Sequence, residues 1–140
     1  MLNKYIAQVL VLSLADDVDR REHINAHFQH NGIDNYQFVD AIPHNSALVI
    51  AAYKKGIVKT YPSCFRCGEA TCECANNILI PHQVANWLSF KRIWEMVAEA
   101  SRPVLVCEDD VFFYKGGLNK LESILEGLLL NKAHLPVLIR

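Results

Sequence analysis

The chain has 140 residues, the size of one domain, and can bury a core without staples. It is 51% apolar and 21% charged, which excludes a disordered or low-complexity protein. A formal net charge of −1 removes any general drive toward nucleic acid or an anionic membrane, although a local basic cluster can still grip phosphate.

Lys4 precedes an apolar run over residues 5–15, in which Ser13-Leu14-Ala15 has the outline of a signal-peptidase site. The run is short, rich in Val, Leu and Ile, and followed at once by a helix signal. It reads as a strand over 6–14 buried on both faces, the kind found inside parallel sheets. Asp16, Asp17 and Asp19 are N-cap candidates, and Asp19 with Glu22 has the spacing of a capping box. The helix they start carries Ile24 and Phe28 inward and stops near Asn31, with Gly32 past its end. A second short strand covers 36–39, and Asn45 and Ser46 cap a second helix that stops near Gly56. Residues 63–77 have no apolar periodicity and form a cysteine-rich insertion.

The clearest helix runs over 83–100, with Val84, Trp87, Leu88, Trp94, Val97 and Ala98 at helical spacings and the tryptophans read as core. Pro103 breaks it, and 104–107 is a third buried strand that runs straight into Glu108-Asp109-Asp110. Gly116-Gly117 lead into a last helix with Leu118, Leu121, Ile124, Leu125, Leu128 and Leu129 inward. Residues 135–139 read as a fourth strand, whose open edge is a template for a homodimer. Alternating strands and helices favour one α/β domain over residues 1–140 with a mostly parallel sheet flanked by helices. No segment is long enough to span a bilayer.

In open parallel sheets, ligands bind beyond the carboxyl ends of the strands, and the polar residues gather there. Glu108, Asp109 and Asp110 repel one another unless a cation or solvent offsets the charge. Mg²⁺ and Mn²⁺ prefer such oxygen ligands and share them with substrate phosphates, while a solvated acidic turn is the plain alternative. Arg20 and Arg21 lie in the first turn of helix one, where cations oppose the helix dipole. Either a phosphate or ion pairs with Asp16, Asp17 or Glu22 would remove that penalty, and at most one of the two is expected to reach a ligand.

Cys64, Cys67, Cys72 and Cys74 read C-x2-C-x4-C-x-C. Four thiolates can close a structural zinc site, and disulfides or free thiols are the alternatives. One crowded thiol cluster suits a reducing, cytoplasmic compartment better than a secreted disulfide scaffold. Cys107 reads as an ordinary buried residue. His23, His27 and His30 form one helical stripe, read as a solvated face rather than a transition-metal site. The chain has no Gly-rich phosphate loop and no G-x-S-x-G elbow.

Taken in order, four stretches resemble glycosyltransferase family 25: Val11-Leu12-Ser13-Leu14 followed by Asp19-Arg20-Arg21; Phe38-Val39-Asp40-Ala41-Ile42; Trp87-Leu88-Ser89 through Trp94; and 104–110 ending in Glu108-Asp109-Asp110. Each is weak alone, but together they span nearly the whole chain. The resemblance implies a GT-A, Rossmann-like fold. It implies transfer of galactose or glucose from a UDP-sugar to a hydroxyl of a glycan, lipooligosaccharide or hydroxylysine acceptor. It places Leu14, Arg20, Asp40 and Asp109 at the nucleotide sugar, and Glu108 and Asp110 at Mn²⁺ or Mg²⁺. Two features depart from the family pattern: Phe90 stands where the family has His, and the cysteine stretch is not general. The family also continues past the equivalent of Arg140 into an acceptor-binding half. The chain is therefore expected to be the nucleotide-sugar-binding half of a domain that is incomplete at its C-terminus. The alternatives are a non-catalytic nucleotide- or metal-binding remnant and a zinc-knuckle interaction protein.

Overall fold

Strand β1, Gln8–Ser13, lies between two parallel neighbours, β2 (Tyr36–Asp40) and β3 (Val104–Glu108), in the order β2-β1-β3. It comes from a computed structural model that describes residues 2–58 and 79–130. The cysteine-rich stretch with Cys64, Cys67, Cys72 and Cys74, and the expected strand at 135–139 with its dimer edge, lie outside the described residues.

Register sets which side chain faces which layer. Val9 pairs with Tyr36 and Leu105, and Val11 with Phe38 and Cys107. These six share one face with Ile24 and Phe28 of helix α1, Val18–His30. Leu118, Leu121 and Leu125 of helix α4, Gly117–Leu130, pack against that same cluster. Leu10, Leu12 and Val39 point the other way, onto Ile93 of helix α3, Pro81–Ala98. Helix α2, Ala47–Lys54, packs beside α3 through Val49 and Ala52 against Val84 and Ala85. Helices thus cover both faces of a parallel sheet, as the alternating pattern requires.

The local signals for these elements work as their chemistry demands. Asp17, rather than Asp19, is the N-cap of α1, and its side chain accepts from the Arg20 N–H at 3.4 Å. Ser46 caps α2 in the same way. Gly32 and Gly56 follow α1 and α2 with φ of 66° and 64°, a conformation glycine adopts without a Cβ penalty. Helix α3 opens earlier than its apolar pattern suggests. Pro81 takes its first position, and Gln83 Oε1 accepts from the Ile80 N–H at 3.0 Å.

Trp87 and Trp94 are not in the core: they are 55% and 53% exposed. Seven residues apart, they share one helix face, while the buried stripe runs through Ala85, Ser89 and Ile93 on the other side. On α4, Ile124 and Leu129 are likewise exposed, so its inward stripe is narrower than expected. Cys107 is buried as read, and burial pushes its thiol pKa up to about 12, which makes it an inert core residue.

Past β3 the chain turns along α1 instead of away from it. The Phe113 N–H donates to His27 Nε2 at 2.9 Å, and the His27 ring stacks on Phe112 and Phe113 with centroids 4.8 Å and 5.6 Å away. His23 and His30 are exposed as read, but His27 is half-buried. Desolvation, then the neighbouring His23 and His30, hold its pKa below the ordinary 6.5.

Two outcomes are expected. Phe28→Ala removes a side chain with no exposure and should cost about 3–5 kcal/mol, whereas Trp94→Ala should cost under about 1 kcal/mol, both read by urea denaturation. The fold favours neutral His27, so the unfolded chain takes up that proton first. The stability His27 contributes is complete above pH 6.5 and falls as pH drops through its lowered folded-state pKa. His27→Gln keeps an acceptor without titrating, so it should flatten the fall in urea midpoint across that window.

Candidate functional site

Because all three strands run parallel, their carboxyl ends share one edge of the sheet. The residues singled out above lie along it. Leu14, 44% exposed, directly follows β1, Asp40 closes β2, and Glu108 closes β3 with Asp109 and Asp110 in the turn beyond. The first turn of α1 brings Arg20 and Arg21 to the same edge.

The two arginines do different work. Arg21 is the more covered, and its Nη2 donates to Asp40 Oδ1 at 2.6 Å and to the Ser13 carbonyl at 3.1 Å. Its Nε reaches Ser13 Oγ at 3.4 Å, and the guanidinium lies 4.9 Å from the centre of the Phe38 ring. Ser13 is buried, and its carbonyl accepts from the Ala41 N–H at 2.8 Å as well as from Arg21. One side chain thereby ties the end of β1 to the end of β2.

Arg20 ties the start of α1 to the end of β3. Its Nη1 donates to Asp109 Oδ1 at 2.7 Å, and its Nε lies 3.4 Å from Asp17 Oδ2. The hydrogen bond to Asp109, then the charges of Asp109 and Asp17, raise its already high pKa, so the guanidinium is a permanent cation here. The pair is asymmetric: the Asp109 side chain is 11% exposed and that of Arg20 is 55% exposed. Among the described residues, Arg20 Nη2 has no hydrogen-bond partner, so that arm of a side chain 55% exposed keeps its N–H donors free.

Glu108 and Asp110 are exposed, and neither side chain has a hydrogen-bond or ion-pair partner among the described residues. Asp110 still contributes to the field on Arg20. Among the described residues no three His, Cys, Asp or Glu side chains form a ready metal cage. Two free carboxylates nevertheless fit the chemistry of Mg²⁺ or Mn²⁺, which bind through one or two carboxylates and complete their shell with water and substrate phosphate.

Two features of this edge were not read from sequence: the hydrogen bonding of Ser89, which was named only within a family motif, and the pairing of His44 with His82. Ser89, buried in α3, donates its hydroxyl to the Ala85 carbonyl at 2.7 Å and accepts the Ile42 N–H at 2.8 Å. It pins the loop that leaves Asp40. A serine at the centre of the apolar stripe of α3 is the signal that marks it. His44, in the same loop, stacks on His82 of the first turn of α3 with centroids 3.9 Å apart. Tertiary packing alone brings those two together, so no spacing in the sequence announces them.

Among the described residues no helix is long and apolar enough to cross a membrane. A search of curated proteins finds no matching relative. A family model described as "Glycosyltransferase family 25 (LPS biosynthesis protein)" matches residues 6–135, from just before β1 to beyond α4, and so takes in every strand and helix that builds this edge. The chain belongs to glycosyltransferase family 25, and that membership implies sugar transfer from a donor to a glycan acceptor in lipopolysaccharide biosynthesis.

Proposed function

We propose that the chain binds the nucleotide sugar in a metal-dependent transfer of galactose or glucose from a UDP-sugar to a hydroxyl of a lipooligosaccharide or other glycan. The observation that carries this reading is the division of charge at the carboxyl edge. Arg20 is bound to Asp109 through Nη1 and keeps Nη2 free, while Glu108 and Asp110 beside it have no partner among the described residues.

In the proposed reaction the acceptor oxygen bonds to the anomeric carbon and releases its proton to solvent. The bond from that carbon to the diphosphate breaks, and its electron pair leaves on UDP. Arg20 offers its free donor to a phosphate oxygen, where guanidinium geometry suits the anion. Asp109 holds that guanidinium in place before the donor arrives, so little reorganisation is needed. Asp40 accepts a hydrogen bond from ribose or base, its position set by Arg21 and by the loop that Ser89 pins. Leu14 offers an exposed apolar surface beside it. Glu108 and Asp110 would hold Mn²⁺ or Mg²⁺, which supplies Lewis-acid stabilisation of the charge on the leaving diphosphate. On the same reading the chain works in a reducing, cytoplasmic compartment, which the crowding of four cysteines in the sequence supports.

Titration calorimetry with UDP, with and without Mn²⁺, tests this. Mn²⁺ should strengthen UDP binding in the native chain and have no effect on Asp110→Asn. Arg20→Ala should weaken UDP binding roughly 10- to 100-fold, the worth of a charge-assisted hydrogen bond. UDP binding that ignores both Mn²⁺ and Arg20→Ala would sink the assignment.

A further inference from the structure

Away from the acidic corner, a cleft of about 810 Å³ opens between the later turns of α1 and the segment that leads into α4. That is within the size range of small-molecule sites, roughly 300–1,000 Å³. Its walls are aromatic and wet. Phe112 and Tyr114 are 59% and 79% exposed, and their rings meet edge to face at 5.7 Å. Exposed aromatic faces of this kind are costly in water and suit a ligand with an apolar face and a polar rim.

The polar groups of the cleft have little to do within the protein. Among the described residues the side chains of His30, Lys115 and Asn119 have no hydrogen-bond or ion-pair partner. Asn31 donates to the His27 carbonyl, which leaves its own side-chain oxygen without a partner among the described residues. Among the described residues no Asp or Glu lines the cleft, so none of them compensates the ammonium of Lys115 there. The wall itself is held in place: the Phe113 N–H bond to His27 Nε2 and the stacking of Phe112 on His27 fix its backbone and one ring.

We propose that this cleft seats one pyranose ring of the acceptor glycan, a ring that carries an anionic substituent. A pyranose has an apolar C–H face to lie on Phe112 or Tyr114 and a rim of hydroxyls for Asn31, Asn119 and His30. Lys115 supplies the complement to a carboxylate or phosphate on that ring. The assignment rests on the glycosyltransferase reading for the role of the sugar. Its location fits that role, because Phe112 lies two residues past Asp110. A fully extended chain spans at most about 7 Å over that distance, so the Phe112 end of the cleft lies close to the acidic corner.

Amide spectra of the ¹⁵N-labelled chain test it, with methyl β-glucuronide and methyl β-glucoside as probes. Both sugars should shift the amides of His30, Asn31 and residues 112–119, with the glucuronide bound roughly two- to five-fold more tightly, the worth of one exposed ion pair. Tyr114→Ala, at a position 79% exposed, should weaken both sugars roughly three- to ten-fold, and Lys115→Gln should erase the preference for the glucuronide. UDP with Mn²⁺, added to the same sample, reports separately on Arg20, Asp40 and Asp110. If those amides move and the cleft ignores both sugars at tens of millimolar, the sugar seat is wrong and the donor site stands. If the cleft amides move only on dilution of the protein, the face is a contact between two copies and the proposal falls. If neither region responds, the glycosyltransferase reading falls with it.

Discussion

Strand β1 has no free side. Val9, Leu10 and Val11 have no exposed surface, and each hydrogen-bonding edge of the strand is taken by a parallel neighbour. A strand in that position cannot slip by one residue, because a slip exchanges the Val9 and Val11 face for the Leu10 and Leu12 face and misplaces two core clusters at once. The site depends on this. Parallel pairing in a single register brings Ser13, Asp40 and Glu108 to one edge, although they are far apart in the chain. Residues that share no local signal become neighbours through backbone geometry alone.

The two arginines show why adjacent, chemically identical residues need not share a function. Both start in the unfavourable first turn of a helix. Helical rotation turns Arg21 toward the sheet, where it finds a carbonyl, a carboxylate and the Phe38 ring. The same rotation turns Arg20 toward β3 and leaves it half in solvent. Exposed ion pairs contribute at most about 1 kcal/mol, so neither arrangement is a major source of stability. Their effect is positional: together they tie the start of α1 to the ends of all three strands.

Local patterns in the sequence identified the elements because local chemistry decides them. Unbroken apolar runs marked β1 and β3, Ser46 and Gly56 bounded α2, and Gly32 ended α1. The acids beyond β3 were legible for the same reason, since a run of carboxylates after a buried strand has no place in a core. What the sequence concealed depends on which face of an element meets which neighbour. Trp87 and Trp94 have helical spacing, but that spacing does not say which stripe turns inward: Ile93 packs on the sheet, Ser89 holds the loop after β2, and Ala85 meets α2. His27 sits in an evenly polar stripe and is distinguished from His23 and His30 only because Phe112 and Phe113 fold over it. The roles of Arg20 and Arg21 were undecidable until Asp109 and Asp40 were placed.

The segment from Glu108 to Tyr114 joins these features. It leaves the sheet as the end of β3, turns through two acidic residues, and is caught by His27 within a few residues. Its upstream end is anchored by the bond from Arg20 to Asp109 and its downstream end by the bond from Phe113 to His27, both made to helix α1. A short stretch held at both ends by one helix has little freedom to move either end alone. On the proposed reading it carries the metal-side carboxylates at one end and the wall of the sugar cleft at the other, so the distance between donor and acceptor is set by α1. A rigid spacer suits group transfer, because a fixed separation of reacting groups converts binding of two substrates into alignment of their reacting atoms.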